Sequence, residues 1–496
     1  MSAQYTPVLV GVGVATQRHE DPSDALEPLE LMFDAVRTAG EDCGAAELLR
    51  EVEQIAVPRG RWQYRNPGGA IAREIGADNA KSILSSVGVL QQSLIASACQ
   101  DIASGKIGSA IVTGADAGYR MLRARIIGSQ LSESEQHDEP DVKLEPAAEL
   151  RHEAELAAGL RMPVGLYALI ESARRASAGL SVQEHREQIA RGYARFSEIA
   201  AQNPHAWTQE ARSAADICNA GKKNPMQAFP YTRSHCSTWN VDQAAALLLC
   251  SEEKADALGI EHSRRVYPLG SVESNHMVPV SARRDLVECV GARIAADALY
   301  KEIGIEPEDV DLVDLYSCFP IAVDCFSGAA RLPAGRDLTI TGSMAFAGGP
   351  YNNYFFQATA RAAELIRAKA GCTALLSCVS GVMTKQAFAM WSIDKPERGF
   401  VRLDVSDEVA GQCSALEVET EFSGEGAVVA CTVVYGSGAA DAYAVVLLDT
   451  TCGRRSLATS YDATTIQSIE TEEWCGRKVR VERGKIICEL RGRNCD

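Results

Sequence analysis

Four stretches of the chain carry side chains able to handle a proton or an acyl group, and they lie far apart. Asp314-Leu315-Tyr316-Ser317-Cys318-Phe319-Pro320 sets a phenol, a hydroxyl and a thiol at the end of an apolar run. Gly348-Gly349-Pro350-Tyr351-Asn352-Asn353-Tyr354 follows the small residues of 342–347, so the backbone there can approach a ligand closely. Ser377-Cys378-Val379-Ser380-Gly381 closes a second apolar run, and Ser85-Ser86-Val87-Gly88-Val89-Leu90-Gln91 opens a helical one. A small-residue loop at the mouth of a buried helix offers free N–H groups, which suit an oxyanion or a nucleophile. A thiol can accept an acyl group or pass a proton, and a tyrosine with its ordinary pKa near 10 needs help from its surroundings to do the latter. Each loop alone has a plainer reading: Cys318 as a small core residue, the Gly-Gly-Pro turn as a hairpin, the Ser86 loop as a close-packed helix start. Loops that end strands of an α/β protein together argue for a site, because strand carboxyl ends meet at a crevice.

The elements that must position these loops alternate. Buried strands are expected at 8–14, 54–57, 111–114 and 310–315, with a return to a core strand from about 241 to 250. Helices are expected at 28–39, 92–104, 282–301, 321–330 and 354–370. The strand at 373–378 leads into Cys378. In each half a helix leads to a strand, a special loop, a helix and another strand, which is a weak internal repeat. From about 117 to 240 the strand signal fades, and the stretch reads as a helical excursion. Ser181 with Glu184 forms a capping box at the head of a helix over 182–200. After about 395 the pattern changes to alternating strands at 416–421, 427–435, 442–449, 478–481 and 485–490. That pattern predicts a small OB-like β-barrel, and it lacks a dense basic-aromatic face for nucleic acid.

Composition sets outer bounds. With 496 residues, 46% hydrophobic and 23% charged, the chain folds into a packed globular protein of two to four domains. A net charge of −17 argues against nucleic acid and anionic membranes as partners, while leaving room for a local basic rim. The 16 cysteines show no CxxC and no regular spacing, so they read as buried thiols of a reducing, cytoplasmic compartment. His235 and Cys236 lack the partner spacing of a metal site. No signal peptide and no membrane span is expected.

The chain resembles the thiolase superfamily. The resemblance covers essentially the whole chain. It is carried by the Ser86 loop, Asn203-Pro204-His205-Ala206-Trp207, the run from Val241 to Leu249, Asp314 to Phe319, and Gly348 to Tyr354. It is most similar to the acetyl-CoA acetyltransferase-like group with an additional C-terminal domain, called thiolase-like protein type 1. This implies a duplicated, five-layered α-β-α-β-α fold of two halves, 1–265 (with the excursion at about 117–240) and 266–400, followed by a barrel domain at 405–496. It also implies a coenzyme A thioester as substrate or ligand, no tightly bound cofactor and no metal, and either a homodimer or a monomer.

Thiolases use a nucleophilic Cys, an Asn/His loop that holds a water, a Gly-His-Pro histidine, and a second Cys as acid/base. Counting back from Gln91, Ser86 falls at the nucleophile position, and Tyr316 stands at the Asn/His place. Gly349 falls at the histidine and Cys378 at the acid/base cysteine, with Ser380 beside it at the oxyanion-hole glycine. The implied catalytic set is Cys378, Tyr316, Ser86 and Tyr351. The implied substrate-binding set is Ser317, Cys318, Gly348, Gly349, Ser380 and Gly381. Two function classes stay open beside a bare structural role. One is an enzyme on acyl-CoA, either an acyltransferase or a retro-aldolase of β-hydroxyacyl-CoA with the barrel in place of an OB-fold partner. The other is an acyl-CoA binder without turnover.

Overall fold

A computed structural model of the chain describes residues 5–436 and 441–490. The first sheet takes β1 (Pro7–Gln17), β2 (Gln54–Pro58), β3 (Lys81–Ser85), β4 (Ser109–Ala117) and β5 (Val142–Leu144). Two short strands follow, β6 (Met226–Ala228) and β7 (Tyr231–Thr232), and then β8 (Asp242–Ser251). The sheet order is β1-β8-β4-β2-β3-β5. The second sheet is built from β9 (Tyr267–Ser274), β10 (Leu312–Asp314), β11 (Thr373–Ser380), β12 (Lys385–Ser392) and β13 (Val401–Asp404), in the order β10-β11-β12-β9-β13.

The repeat is real at the level of topology. In the first sheet β2 runs parallel to β4, and β4, β8 and β1 follow antiparallel. In the second, β10 runs parallel to β11, and β11, β12 and β9 follow antiparallel. Leu9 and Val266 join the two sheets by exchanging backbone hydrogen bonds of 2.9 Å.

Two helices lie between the sheets, Gln91–Ala103 and Tyr354–Arg367, one from each half. Their apolar side chains share one core with strands of both sheets: Leu94, Ile95 and Ile102 from one, Phe355, Phe356 and Ile366 from the other. Each of these large side chains removed from water contributes about 2–3 kcal/mol. Helices Pro28–Cys43 and Pro67–Ile75 cover the far face of the first sheet, and Val290–Ile303 and Pro320–Ala329 that of the second. The result is five layers, α-β-α-β-α. A helix buried on all sides must begin with its N–H groups indoors, which is why the loops ahead of these two central helices matter.

The excursion holds the helices Pro163–Ser177, Val182–Gln202 and Ala214–Cys218. Ser181 caps the second: its hydroxyl accepts from Glu184 N at 3.2 Å and the Glu184 carboxylate accepts from Ser181 N at 3.0 Å. The region also carries strands where only helix was expected: β5 extends the first sheet, and β6 and β7 join the last one.

That last sheet adds β14 (Val418–Glu419), β15 (Gly424–Val434), β16 (Tyr443–Thr450), β17 (Arg455–Ser460), β18 (Lys478–Glu482) and β19 (Lys485–Glu489). Strands β15, β16, β17, β19 and β18 pair in a closed ring. The expected strand at 416–421 shrinks to two residues, and the ring takes β17 instead. The barrel is no loose appendage: Ala430, Val445, Leu447 and Leu457 belong to the same core cluster as the helix Pro163–Ser177 and the second sheet. No helix among the described residues is long and apolar enough to cross a membrane.

Candidate active site

The loops converge because Asp314 ties them. It ends β10 fully buried, and its carboxylate accepts from Thr339 Oγ1 (2.9 Å), Ile340 N (3.0 Å), Thr341 N (3.1 Å), Thr341 Oγ1 (2.9 Å) and Tyr354 O–H (2.8 Å). Burial raises its pKa, and these donors work against that rise. The turn before the glycine-rich stretch and the first residue of the central helix are thereby pinned to one strand end. Ser317 continues the brace by accepting from Met344 N at 3.0 Å.

Past this brace opens a cavity of about 610 Å³. Its wall has five sources, four loops and the excursion. The Ser86 loop gives Val87, Gly88, Val89 and Gln91, and the β10 end gives Tyr316, Cys318 and Phe319. The glycine-rich stretch gives Met344, Gly349, Tyr351 and Asn352, and the β11 end gives Val379, Ser380, Gly381 and Val382. The excursion supplies the rest, including Arg151, Pro163, Val164, Tyr167, Arg233 and Cys236.

Six of the ten expected site residues therefore face the cavity: Tyr316, Cys318, Gly349, Tyr351, Ser380 and Gly381. Ser317 and Gly348 stand behind them, in the brace and in a tight turn. Gly348 has φ +106°, and a Cβ there would lie 2.1 Å from Gln243 Oε1, so only glycine fits. Ser86 does not reach the cavity. Its backbone N–H is taken by Leu144 O of the edge strand β5 at 2.8 Å, and the chain then turns at Gly88 (φ +105°), bringing Val87 and Val89 to the wall. Cys378 lies one layer deeper, fully buried on β11, with its thiol against the N–H groups of Gln92 and Gln91 at the head of the first central helix.

Burial keeps the thiols and the Tyr316 phenol of the site neutral. Burial pushes the Cys378 thiol up to about 12, against the pull of those helix N–H groups. Cys318 rises to about 12 for the same reason, with the Tyr167 hydroxyl opposing. The Tyr316 phenol stands well above its usual value, from burial first and from the neighbouring Cys378 second. At neutral pH the phenol is a donor, not a base. It lies 3.5 Å from Gln91 Nε2, which also donates to Asn352 Oδ1 at 3.2 Å, while Gln91 Oε1 accepts from Phe355 N at 2.8 Å. Gln91 thus links three of the four loops at the phenol. Lys385, buried on β12, donates to the carbonyl of Gly88 and Ser380 Oγ donates to the same carbonyl at 3.4 Å, which fixes the Ser86 loop from below.

Gln91, Tyr167, Arg151 and Arg233 were not anticipated as site residues. Gln91 was used only to count back to Ser86; the other three sit in the excursion, whose path no local pattern announces. Arg233 is exposed, and its guanidinium is unpaired among the described residues. The cavity is thus an apolar chamber with hydrogen-bond donors inside and cations in its wall. Among the described residues no group of three or more His, Cys, Asp or Glu side chains is arranged to hold a metal.

No family model matches the chain. An acetyl-CoA acetyltransferase of Methanocaldococcus jannaschii is 33% identical over 94 residues, 19% of this chain and 24% of that protein. The benzoylsuccinyl-CoA thiolase subunit BbsB of Thauera aromatica is 36% identical over 126 residues, 25% of this chain and 30% of that protein. The chain thus matches less than a third of the length of each of these relatives. Among solved structures, a monomeric SCP2-thiolase-like protein type 1 from Mycobacterium smegmatis superposes with a TM-score of 0.81 at 26% identity, over 98% of this chain and 100% of that one. An Ltp2-ChsH2(DUF35) aldolase shares the fold at a TM-score of 0.58 and 17% identity, over 78% of this chain and 98% of that one. Doubled sheets, paired central helices and a match along the full length give the chain the thiolase-superfamily fold, similar throughout to the solved SCP2-thiolase-like protein type 1.

Proposed function

We propose that the cavity binds an acyl-CoA thioester, with the acyl group in the apolar chamber and the phosphates toward Arg151 and Arg233. The observation that carries this is the pairing of a 610 Å³ apolar chamber with cations in its wall, in a chain whose net charge is −17. Cations kept at a chamber of an acidic protein favour an anionic ligand with an apolar end.

Within this reading the chain is a thiolase-superfamily enzyme. The Tyr316 hydroxyl hydrogen-bonds the thioester carbonyl, and Gly349 with Ser380 and Gly381 lets the ligand lie close to backbone. Cys378, beside Tyr316, exchanges protons with it. Ordinary thiolysis is not expected, because neither Ser86 nor any histidine is among the lining residues. A second reading, retro-aldol cleavage of a β-hydroxyacyl-CoA, is favoured by the two phenols, Tyr316 and Tyr351, in the wall. In it the β-hydroxyl proton is relayed through Tyr351 and Tyr316 to the α-carbon of the enolate left when the carbon–carbon bond breaks, so that an aldehyde or ketone and the shortened acyl-CoA form and both phenols end neutral. The same reading takes the barrel as an OB-like stand-in for a separate partner and divides the chain at 1–265, 266–400 and 405–496, as a homodimer or a monomer.

Calorimetry with CoA, and thioester loss from acetoacetyl-CoA plus CoA and from a β-hydroxyacyl-CoA, test it. Binding is expected, with turnover of the second substrate only. Tyr316→Phe should cut that turnover by about 10²-fold while leaving CoA affinity within about twofold, the pattern of a transition-state contact. Absence of CoA binding overturns the proposal; binding with no turnover of either substrate leaves a carrier of acyl-CoA.

A further inference from the structure

Away from the cavity, two thiols meet where the barrel rests on the excursion. Cys431 lies on β15, and Cys475 lies in the turn that leads to β18. The ladder between these strands runs on past their paired residues: Val428 N donates to Arg477 O at 2.8 Å, and Gly476 N to Val428 O at 2.7 Å. This carries Cys475 back along β15 toward Cys431. One serine of the helix Pro163–Ser177 touches both: Cys431 N donates to Ser172 Oγ at 2.9 Å, and Cys475 Sγ to Ser172 O at 3.8 Å. The two sulfurs are close enough to influence each other's protonation, and both are free.

A cation completes the group. The Arg175 side chain is 3% exposed, pairs with Glu473 at 2.9 Å and lies beside both sulfurs. The neighbouring Cys475 first, and the Arg175 charge after it, lower the proton affinity of Cys431 against the effect of burial. A thiol so placed spends more of its time as thiolate, the form that reacts with oxidants. Cys431 is buried, so a small oxidant fits better than a bulky disulfide, and Cys475 is partly exposed.

We propose that Cys431 and Cys475 are an oxidisable dithiol that a peroxide closes into an intrachain disulfide. In the first step the Cys431 thiolate attacks one peroxide oxygen. An S–O bond forms, the O–O bond breaks, and the released hydroxide takes up a proton to leave as water. In the second step the Cys475 sulfur attacks the Cys431 sulfenic acid. The S–S bond forms, the S–O bond breaks, and hydroxide leaves as water with the Cys475 proton. Two thiols and one hydrogen peroxide give one disulfide and two waters, and the peroxide takes both electrons. The proposal is independent of what the cavity binds.

The test is mass spectrometry of the full-length protein after one equivalent of hydrogen peroxide, with the remaining thiols alkylated in denaturant. The expected result is a cross-linked peptide pair joining Cys431 to Cys475, reversed by dithiothreitol. With Cys475→Ser, Cys431 should stop at sulfenic acid and be captured by dimedone. With Arg175→Gln, closure should slow by roughly tenfold, as expected if the thiolate fraction falls by about one pKa unit. Recovery of both cysteines fully alkylated while other cysteines oxidise overturns the proposal, and so does cross-linking of either one to a different cysteine.

Discussion

A thiol with no exposed surface behaves as a hydrophobe until something ionises it, and Cys378 is in that condition. With its pKa pushed up to about 12, it should resist iodoacetamide at pH 7.5 in the native protein while the exposed Cys452 is labelled. Peptide mapping checks this; labelling of Cys378 at the rate of Cys452 would show that the site opens in solution. Cys99, Cys250 and Cys318 share its value of about 12. Their folded pKa values lie above the unfolded value near 8.5, so the folded state holds these protons more tightly. The stability they supply is complete below about pH 8.5 and is lost as pH climbs toward 12. Urea midpoints should therefore hold steady from pH 7 to 8 and fall above about 9.

At the scale of elements, one carboxylate organises two loops and a helix start. Asp314→Asn removes the charge from all five contacts to 339–341 and Tyr354 and sets an amide N–H₂ against a donor. The expected cost is about 2–4 kcal/mol, read as a drop in the urea midpoint, with the cavity loops loosened. The short turn Arg233–His235 carries a second sensitivity. His235 is buried and pulled down to about 3 by burial first and by Arg186 second, while its Nδ1 accepts from Thr232 N at 3.2 Å. A folded pKa below the unfolded 6.5 means the unfolded chain takes the proton first on acidification. Stability from this group is intact above about pH 6.5 and erodes by up to about 1.4 kcal/mol per unit below it. Denaturation at pH 7, 6 and 5 should show that slope, and His235→Asn should flatten it.

Elements also show what could be read from residues alone. The apolar runs that became β4, β8, β10 and β11 are legible because a strand buried on both faces needs a continuous hydrophobic sequence. β17 escaped notice because Arg455-Ser456-Leu457-Ala458-Thr459-Ser460 is polar yet buried. Its polar groups find partners only in the fold: Arg455 donates to Arg284 O at 2.9 Å, Ser456 Oγ to Glu419 O at 2.9 Å, and Thr459 Oγ1 accepts from Lys485 at 2.8 Å. Tyr316 and Gly349 were found because they terminate short, recognisable loops. Arg151, Tyr167 and Arg233 were not, since their approach depends on how a long excursion folds back. Ser86 was placed by counting from Gln91, and counting cannot see that β5 captures its backbone.

Across the whole molecule the barrel and the α/β body are one packing unit. β15 pairs with β6 of the excursion, the helix Pro163–Ser177 packs on β15, and Arg455 reaches the carbonyl of Arg284. Ending the chain at residue 404 would uncover that helix and the part of the core that Ala430, Val445, Leu447 and Leu457 fill. Such a truncation should be insoluble or molten, with strong dye binding and lost near-ultraviolet circular dichroism, whereas a separable domain would leave a sharp unfolding transition.

Because the barrel is held on the same polypeptide, its encounter with the body is set by chain connectivity and not by how many molecules share a volume. Specific activity or ligand occupancy per mole should then be unchanged from micromolar stock to nanomolar assay, where a two-component assembly of moderate affinity would come apart.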